Sequence, residues 1–305
     1  MGVDIPYRRE FAFKYGRLEK VAPGIRRIIA RNPGPFTFKG TGTYVVGEGA
    51  VAVIDPGPEL AEHVNAVLAS LADERVTHIL VTHTHRDHSP AAKPLKEATG
   101  ARTYGFGPHA GGRRGEPGIE EGGDWDFVPD VVVRDGEWIA GDGWRVEAVH
   151  TPGHTSNHLC FAVPEAGILF SGDHVMGWST SVIAPPDGDM AAYMASLDKL
   201  LLRRDRVYWP THGPAITEPE RHVRAFIAHR REREAGILDC LKAGIETVDA
   251  MVERLYVGLN PALRRAAGRS VLAHLIALIA HDIVASEGPA TVESRYRLRH
   301  VARHR

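Results

Sequence analysis

The sequence predicts an α+β fold with a helical, winged-helix-like domain at its C-terminal end. Three observations carry this. Up to residue 213, short apolar or β-branched runs alternate with segments of helical period. Four of the strand-like or turn-like ends run into clusters of His, Asp, Thr and Gly. From Glu218 the texture changes to long helical segments followed by a short hairpin candidate, the order of a winged helix. The expected domains are residues 1–217 and 218–305.

A chain of 305 residues with 43% hydrophobic and 25% charged residues is globular, and long enough for one large domain plus an appendage. Net charge is -1, which selects no class of partner. Residues 214–305 carry 15 Lys+Arg against 11 Asp+Glu, a mildly basic tail that suits an anionic partner or a solvated helical face. Cys160 and Cys240 stand far apart and in no CxxC pattern, which argues against a disulfide scaffold and fits a reducing, cytoplasmic compartment. The start of the chain shows no secretory signal. The longest apolar stretch, residues 271–285, is broken by His274, His281 and Asp282 and cannot span a membrane.

Taken in order, residues 1–20 have no clear period, and residues 25–30 form a first strand. Residues 43–46 and 51–54 are β-branched runs on either side of Gly47-Glu48-Gly49, a hairpin signal, and the second ends at Asp55-Pro56-Gly57. Residues 59–71 have helical spacing, 76–81 form an apolar strand, 90–99 a short helix ended by Gly100, and 102–106 another strand. Residues 107–130 hold seven glycines and three prolines, with Arg113, Arg114 and Trp125; so long a loop is expected to flank a cleft. Strands follow at 131–134, 144–149, 158–163, 168–171 and 207–209, with an amphipathic helix at 190–202. Helices at 219–243, 247–255 and 261–285 precede a hairpin within 290–298.

The strand at 76–81 empties into Thr82-His83-Thr84-His85-Arg86-Asp87-His88. Three imidazoles this close repel one another when protonated, but neutral imidazole is a good ligand for a divalent cation. His83 and His85 are two apart at an extended strand end and can point to one side, while Asp87 and His88 lie beyond the turn. The later clusters are Thr151-Pro152-Gly153-His154-Thr155, Ser171-Gly172-Asp173-His174 and Thr211-His212-Gly213. Strand ends at one sheet edge are rigid supports for convergent ligands, and two ions about 3.5–4 Å apart would suit such a set. By contrast His63, His78, His109, His222, His229, His274, His281, His300 and His304 read as ordinary surface or core histidines, and His150, His158 and His174 as supporting groups at most.

With these motifs in order (THTHRDH, TPGHT at 151–155, LFSGDH at 169–174 and PTHGP at 210–214) the chain resembles the metallo-β-lactamase-fold hydrolases. The resemblance implies an αββα sandwich of two mixed sheets. It implies that His83, His85 and His154 hold one metal, that Asp87, His88 and His212 hold a second, and that Asp173 bridges them, with Asp55 as the buried carboxylate behind them. A bridging Asp173 speaks against antibiotic hydrolysis and for thioesterases, nucleases and related hydrolases. The segments GTGTYVVGEGAVAVIDPGP, WSTSVIAPPDGDMAAYMASLDKL and HRREREAGILDCL, with AHL at 273–275, are similar to the lactamase-beta-2-like group. The characterised animal member of that group is a mitochondrial endoribonuclease, and the group carries a C-terminal winged-helix-like domain. One departure is visible: the usual Gly-Gly after HxHxDH is Ser89-Pro90 here.

The expectation is therefore a dinuclear hydrolase with two zinc ions, a ligand set that also accommodates iron or manganese. Asp87 would hold one metal and orient the nucleophile. Single-stranded RNA is the favoured substrate, with Arg221, Arg224, Arg230, Arg231 and Arg233 as candidate phosphate contacts. The alternative is a glyoxalase II-like hydrolase of small thioesters or esters, and a third reading is a non-catalytic nucleic-acid-binding regulator.

Overall fold

The computed structural model describes residues 2–112 and 122–299; Arg113, Arg114, His300 and His304 lie outside them. The first sheet places β1 (Glu19–Ala22), β2 (Ile25–Ile29), β3 (Gly42–Val46), β4 (Ala50–Ile54), β5 (Arg75–Leu80), β6 (Arg102–Gly105) and β7 (Val131–Val132) side by side in that order. Pairing is antiparallel from β1 to β4 and parallel from β4 to β7. The parallel pairs need crossovers: α1 (Ala61–Ser70) supplies that from β4 to β5 and α2 (Ala92–Thr99) that from β5 to β6, while the loop after β6 leads to β7. The second sheet runs β12 (Val207–Pro210), β11 (Ile168–Gly172), β10 (Leu159–Val163), β9 (Trp144–His150), β8 (Trp138–Gly141). Its β11–β12 pair is parallel, joined through α3 (Met190–Leu201), and the rest are antiparallel.

The strand sequences show why the sheets stack. Every residue of β3, β4 and β11 is buried, so both faces of these strands are covered and alternation sorts side chains between two cores. Tyr44, Val46, Ala52 and Ile54 meet Val146, Ala148, Leu159, Phe161, Ile168 and Phe170 between the sheets. Val45, Val51 and Val53 face outward with Val67 of α1 and Leu95 of α2. Cys160, Ala162 and Leu169 face the other way, against Tyr193 and Leu197 of α3 and Val223 and Phe226 of α4 (Pro219–Lys242). The result is helix, sheet, sheet, helix, as the resemblance implied.

α4 continues beyond that core. Its last turns, Ile237, Cys240 and Leu241, pack with α5 (Val248–Leu255), α6 (Arg264–Ala280) and Tyr296. The expected third helix is shorter than its pattern. A 3₁₀ turn covers Pro261–Leu263, α6 stops at Ala280, and Asp282 sits at φ +60°, outside the helical region. The freed residues form β13 (Val284–Ser286), which pairs with β14 (Tyr296–Leu298). The hairpin thus takes one strand from the segment read as helix. β1 and β8 were also not expected; both are four-residue strands at sheet edges, too short to leave a clear period. Among the described residues no helix is long and apolar enough to cross a membrane.

Candidate metal centre

The polar clusters converge because their strands end at one edge of the sandwich. β4 and β5 are parallel, so Asp55 and the His83–His88 turn emerge together. β9 and β11 run in the same direction across β10, and β12 is parallel to β11, so His154, Asp173 and His212 emerge beside them. Backbone bonds tie the two sheets there: Leu159 N–H donates to Thr82 O at 2.7 Å, and Gly42 N–H to Thr211 O at 2.8 Å.

All seven expected ligands come together, and all but His85 are buried. Three groupings bring one candidate ligand atom per residue within 4.8 Å of one another: His83, His85 and His154; His83, His88 and Asp173; and Asp87, His88 and His212. His85 Nδ1 lies 3.1 Å from both His83 Nε2 and His154 Nε2. Asp87 Oδ2 lies 3.0 Å from His212 Nε2 and 3.4 Å from His88 Nε2. Asp173 Oδ2 is 3.4 Å from His212 Nε2 and 3.5 Å from His88 Nε2.

The outer hydrogen bonds decide which nitrogen faces inward. His154 Nδ1 meets Val182 O at 2.7 Å, His212 Nδ1 meets Gly40 O at 3.3 Å, His88 Nδ1 meets Asp55 Oδ2 at 3.0 Å, and His83 Nδ1 meets Thr82 Oγ1 at 3.0 Å. In the neutral ring the proton is held outside, which leaves each Nε2 as a lone-pair donor toward the centre. Asp55 is wholly buried and accepts from Thr82 N–H, Thr82 Oγ1, Thr211 Oγ1 and His88. Gly153, before His154, has φ +140°, and a Cβ there would stand 2.3 Å from Tyr193 Cα, so only glycine lets this turn approach α3.

The electrostatics divide the site. Burial, reinforced by neighbouring imidazoles, holds His83 and His85 well below the usual histidine range, and burial lowers His154. Burial opposes charge on His88 and His212 too, but there the carboxylates prevail: His88 stands well above its usual value beside Asp87, Asp173 and Asp55, and Asp173 with Asp87 raises His212 to about 10. Despite burial, the same two imidazoles hold Asp87 and Asp173 below the carboxylate range.

A metal pair fits these residues. His88 Nε2 and Asp173 Oδ1 are buried without a hydrogen-bond partner. The 3.1 Å spacing of the inward nitrogens is close to the roughly 3.3–3.4 Å edge of a tetrahedron with metal–nitrogen bonds of about 2.0–2.1 Å.

The surroundings also hold residues the sequence did not single out. Asn157 Nδ2 donates to Thr84 Oγ1 at 2.8 Å and reaches Gly107 O and Pro108 O. His109, read as an ordinary histidine, bonds Thr84 Oγ1 at 3.0 Å and packs on Trp125 with its ring 6.4 Å from His85. No local pattern marks either residue. The described part of the 107–130 loop flanks the centre as expected, through Arg86 N–H to Gly122 O and Asp124 N–H to Thr84 O. Ser89 Oγ donates to Asp124 Oδ2 at 2.6 Å, so the departure from Gly-Gly pins this loop to the ligand turn. His158 supports Asp173 by accepting its backbone N–H at 3.2 Å.

The Metallo-beta-lactamase superfamily profile matches residues 37–212. The chain belongs to that superfamily. A beta-lactamase associated winged helix domain matches residues 247–291. The chain is 34% identical over 251 residues to an atrochrysone carboxyl ACP thioesterase of Claviceps purpurea, covering 78% of this chain and 74% of that one. It is 33% identical over 260 residues to a beta-lactamase-like protein 2 homolog of Caenorhabditis elegans, covering 83% of each. A beta-lactamase domain protein from Burkholderia ambifaria superposes with a TM-score of 0.76 at 19% identity, over 97% of each chain. The superfamily fold implies a dinuclear metal site with these His and Asp residues as candidate ligands, and the protein is a metallo-β-lactamase-fold hydrolase.

Proposed function

We propose that this hydrolase cleaves thioesters of acyl substrates with two bound divalent cations, zinc being the first candidate. His83, His85 and His154 would hold one ion, Asp87, His88 and His212 the other, and Asp173 both. Bound there, divalent ions supply Lewis acidity that activates water near neutral pH and polarises an acyl oxygen. The chain's own contribution is orientation. Val182, Gly40, Asp55 and Thr82 hold the outer protons, and Asp87, beside His212, would orient the attacking water. A cysteine nucleophile is not part of this reading, since burial pushes the Cys160 thiol up to about 12.

The observation that carries the substrate class is the engagement of the arginines that the RNA reading needs. Arg221 pairs with Glu218 at 3.3 Å, and Arg224 with Glu220 at 2.9 Å. Arg230 is buried against Ser181 O, and Arg233 donates to Leu255 O at 2.6 Å over the Tyr256 ring. Of the five, Arg231 is exposed with no such contact among the described residues. A cavity of about 790 Å³ beside the His154 turn has a mixed wall, with Met190, Leu272, Ile276 and Ala277 on one side and Asp187, Asp189 and Arg269 among its polar residues; its apolar side suits an acyl chain. Likeness to a thioesterase over 78% of the chain supports the same reading.

The test is a metal-reconstituted panel of acyl thioesters, labelled single-stranded RNA and a β-lactam. Thioester turnover that chelation abolishes and metal restores is expected, with the other two untouched. Cleavage of RNA without thioester turnover would overturn this reading in favour of the nuclease.

A further inference from the structure

The HRREREA run on α4 places one arginine where no RNA could reach it. Arg230 is 3% exposed, and among the described residues no carboxylate pairs with it. Its Nε is buried without a partner, and its guanidinium carbon lies 5.2 Å from the centre of the Tyr193 ring. A buried, unpaired charge is costly, and an apolar residue would fill the position more cheaply. Its Nη2 donates to the carbonyl of Ser181, and the guanidinium also interacts with the Tyr193 hydroxyl.

Ser181 leads directly to the metal centre. Its Oγ lies 2.6 Å from Asp173 O and 2.8 Å from His174 O, sharing one hydroxyl proton between them. The next residue, Val182, accepts from His154 Nδ1 at 2.7 Å, the contact that leaves His154 Nε2 unprotonated toward the site. Tyr193, beneath the guanidinium, donates its hydroxyl to His174 O at 2.9 Å. Two of the seven ligands, His154 and Asp173, are therefore set by a two-residue segment that Arg230 grips from behind. Their alignment depends on that segment staying in place.

We infer that Arg230 is a positioning residue for the metal centre: by holding the Ser181–Val182 backbone, it fixes the orientation of His154 and Asp173 and so the retention of metal. α4 also packs on the C-terminal helices, so the position of the winged-helix side bears on the site through this residue. The inference rests on the metal reading of the site but not on the choice of substrate.

The test measures zinc retention against a graded chelator, with zinc read by elemental analysis and metal-free stability read by urea unfolding. Arg230→Met should raise the zinc dissociation constant about 10–100-fold, the usual effect of removing a group that orients a ligand. Arg230→Lys, which keeps a donor for Ser181 O, should recover part of the loss. Ser181→Ala should weaken retention on its own, and it carries the test if Arg230→Met does not fold. Lys242→Met, on the exposed last turn of the same helix, should behave as native. Native zinc retention in folded Arg230→Met, even with lowered metal-free stability, would leave the arginine a purely structural role and overturn the inference, as would native retention in Ser181→Ala. Absence of metal from the native protein would overturn the metal reading together with it.

Discussion

Asp55→Asn changes one oxygen to an NH₂ group at the most constrained carboxylate in the molecule. Asp55 has φ +48°, and its two oxygens accept four hydrogen bonds at 2.7–3.0 Å from Thr82, Thr211 and His88. An amide offers one acceptor where the carboxylate offers two. If its oxygen faces Thr82 N–H, its NH₂ faces His88 Nδ1–H, and the imidazole must move its proton to Nε2. That nitrogen looks toward Asp87 and Asp173, so the proton would occupy the direction a metal needs. If the amide is flipped, its NH₂ faces a backbone N–H that cannot rotate, leaving a buried donor unmet. Either arrangement costs about 1–3 kcal/mol of metal-free stability. The tautomer change should weaken metal binding about 10–100-fold, or roughly 1.4–2.7 kcal/mol. Chelator competition measures the second quantity and urea unfolding the first. Thr211→Val, which removes a single hydroxyl donor, should fall within a few-fold of native. Native metal affinity in Asp55→Asn would refute the idea that this carboxylate sets the His88 tautomer.

Three further outcomes are expected. His63 is buried on α1, and burial lowers its pKa to about 4 from an ordinary 6.5. The unfolded chain therefore binds a proton first, and stability present above pH 6.5 falls as pH drops toward 4, by on the order of 2 kcal/mol at pH 4.5. Metal-free His63→Gln should show a shallower loss than native when urea midpoints at pH 7 and pH 4.5 are compared. Gly153→Ala must hold φ +140° and clear Tyr193, so a loss beyond the about 1–3 kcal/mol of backbone strain is expected in urea unfolding, together with weaker metal retention; unchanged stability would contradict the close approach. Chelation should abolish thioester turnover and lower the thermal midpoint, and zinc, iron and manganese added back in parallel should show which restores both.

Much of the site was legible because metal ligation leaves local chemical marks. An apolar strand that ends in HxHxDH, and later strand ends that stop at His or Asp, need no knowledge of the fold to be noticed. All seven residues meet in the structure. The strands read correctly for a related reason: β3, β4 and β11 are buried on both faces, so their sequences are largely apolar without alternation. The edge strands β1 and β8, and the exchange of residues 284–285 from helix to wing, left weaker marks, because pairing with a distant strand decided them. The arginines of α4 show the limit most clearly. As a sequence, HRREREA is a basic helical surface, and nothing local separates an exposed Arg231 from an inward Arg230. Only the packing of α4 against α3 and the Ser181 segment turns one guanidinium into the interior, and it brings Asn157 and His109 to Thr84 in the same way. The sequence by itself determined the candidate ligands and the chemistry they permit, since those follow from residue type and strand-end position. The tertiary structure decided which nitrogen of each imidazole faces inward and what holds it there, because those partners come from residues far apart in the chain.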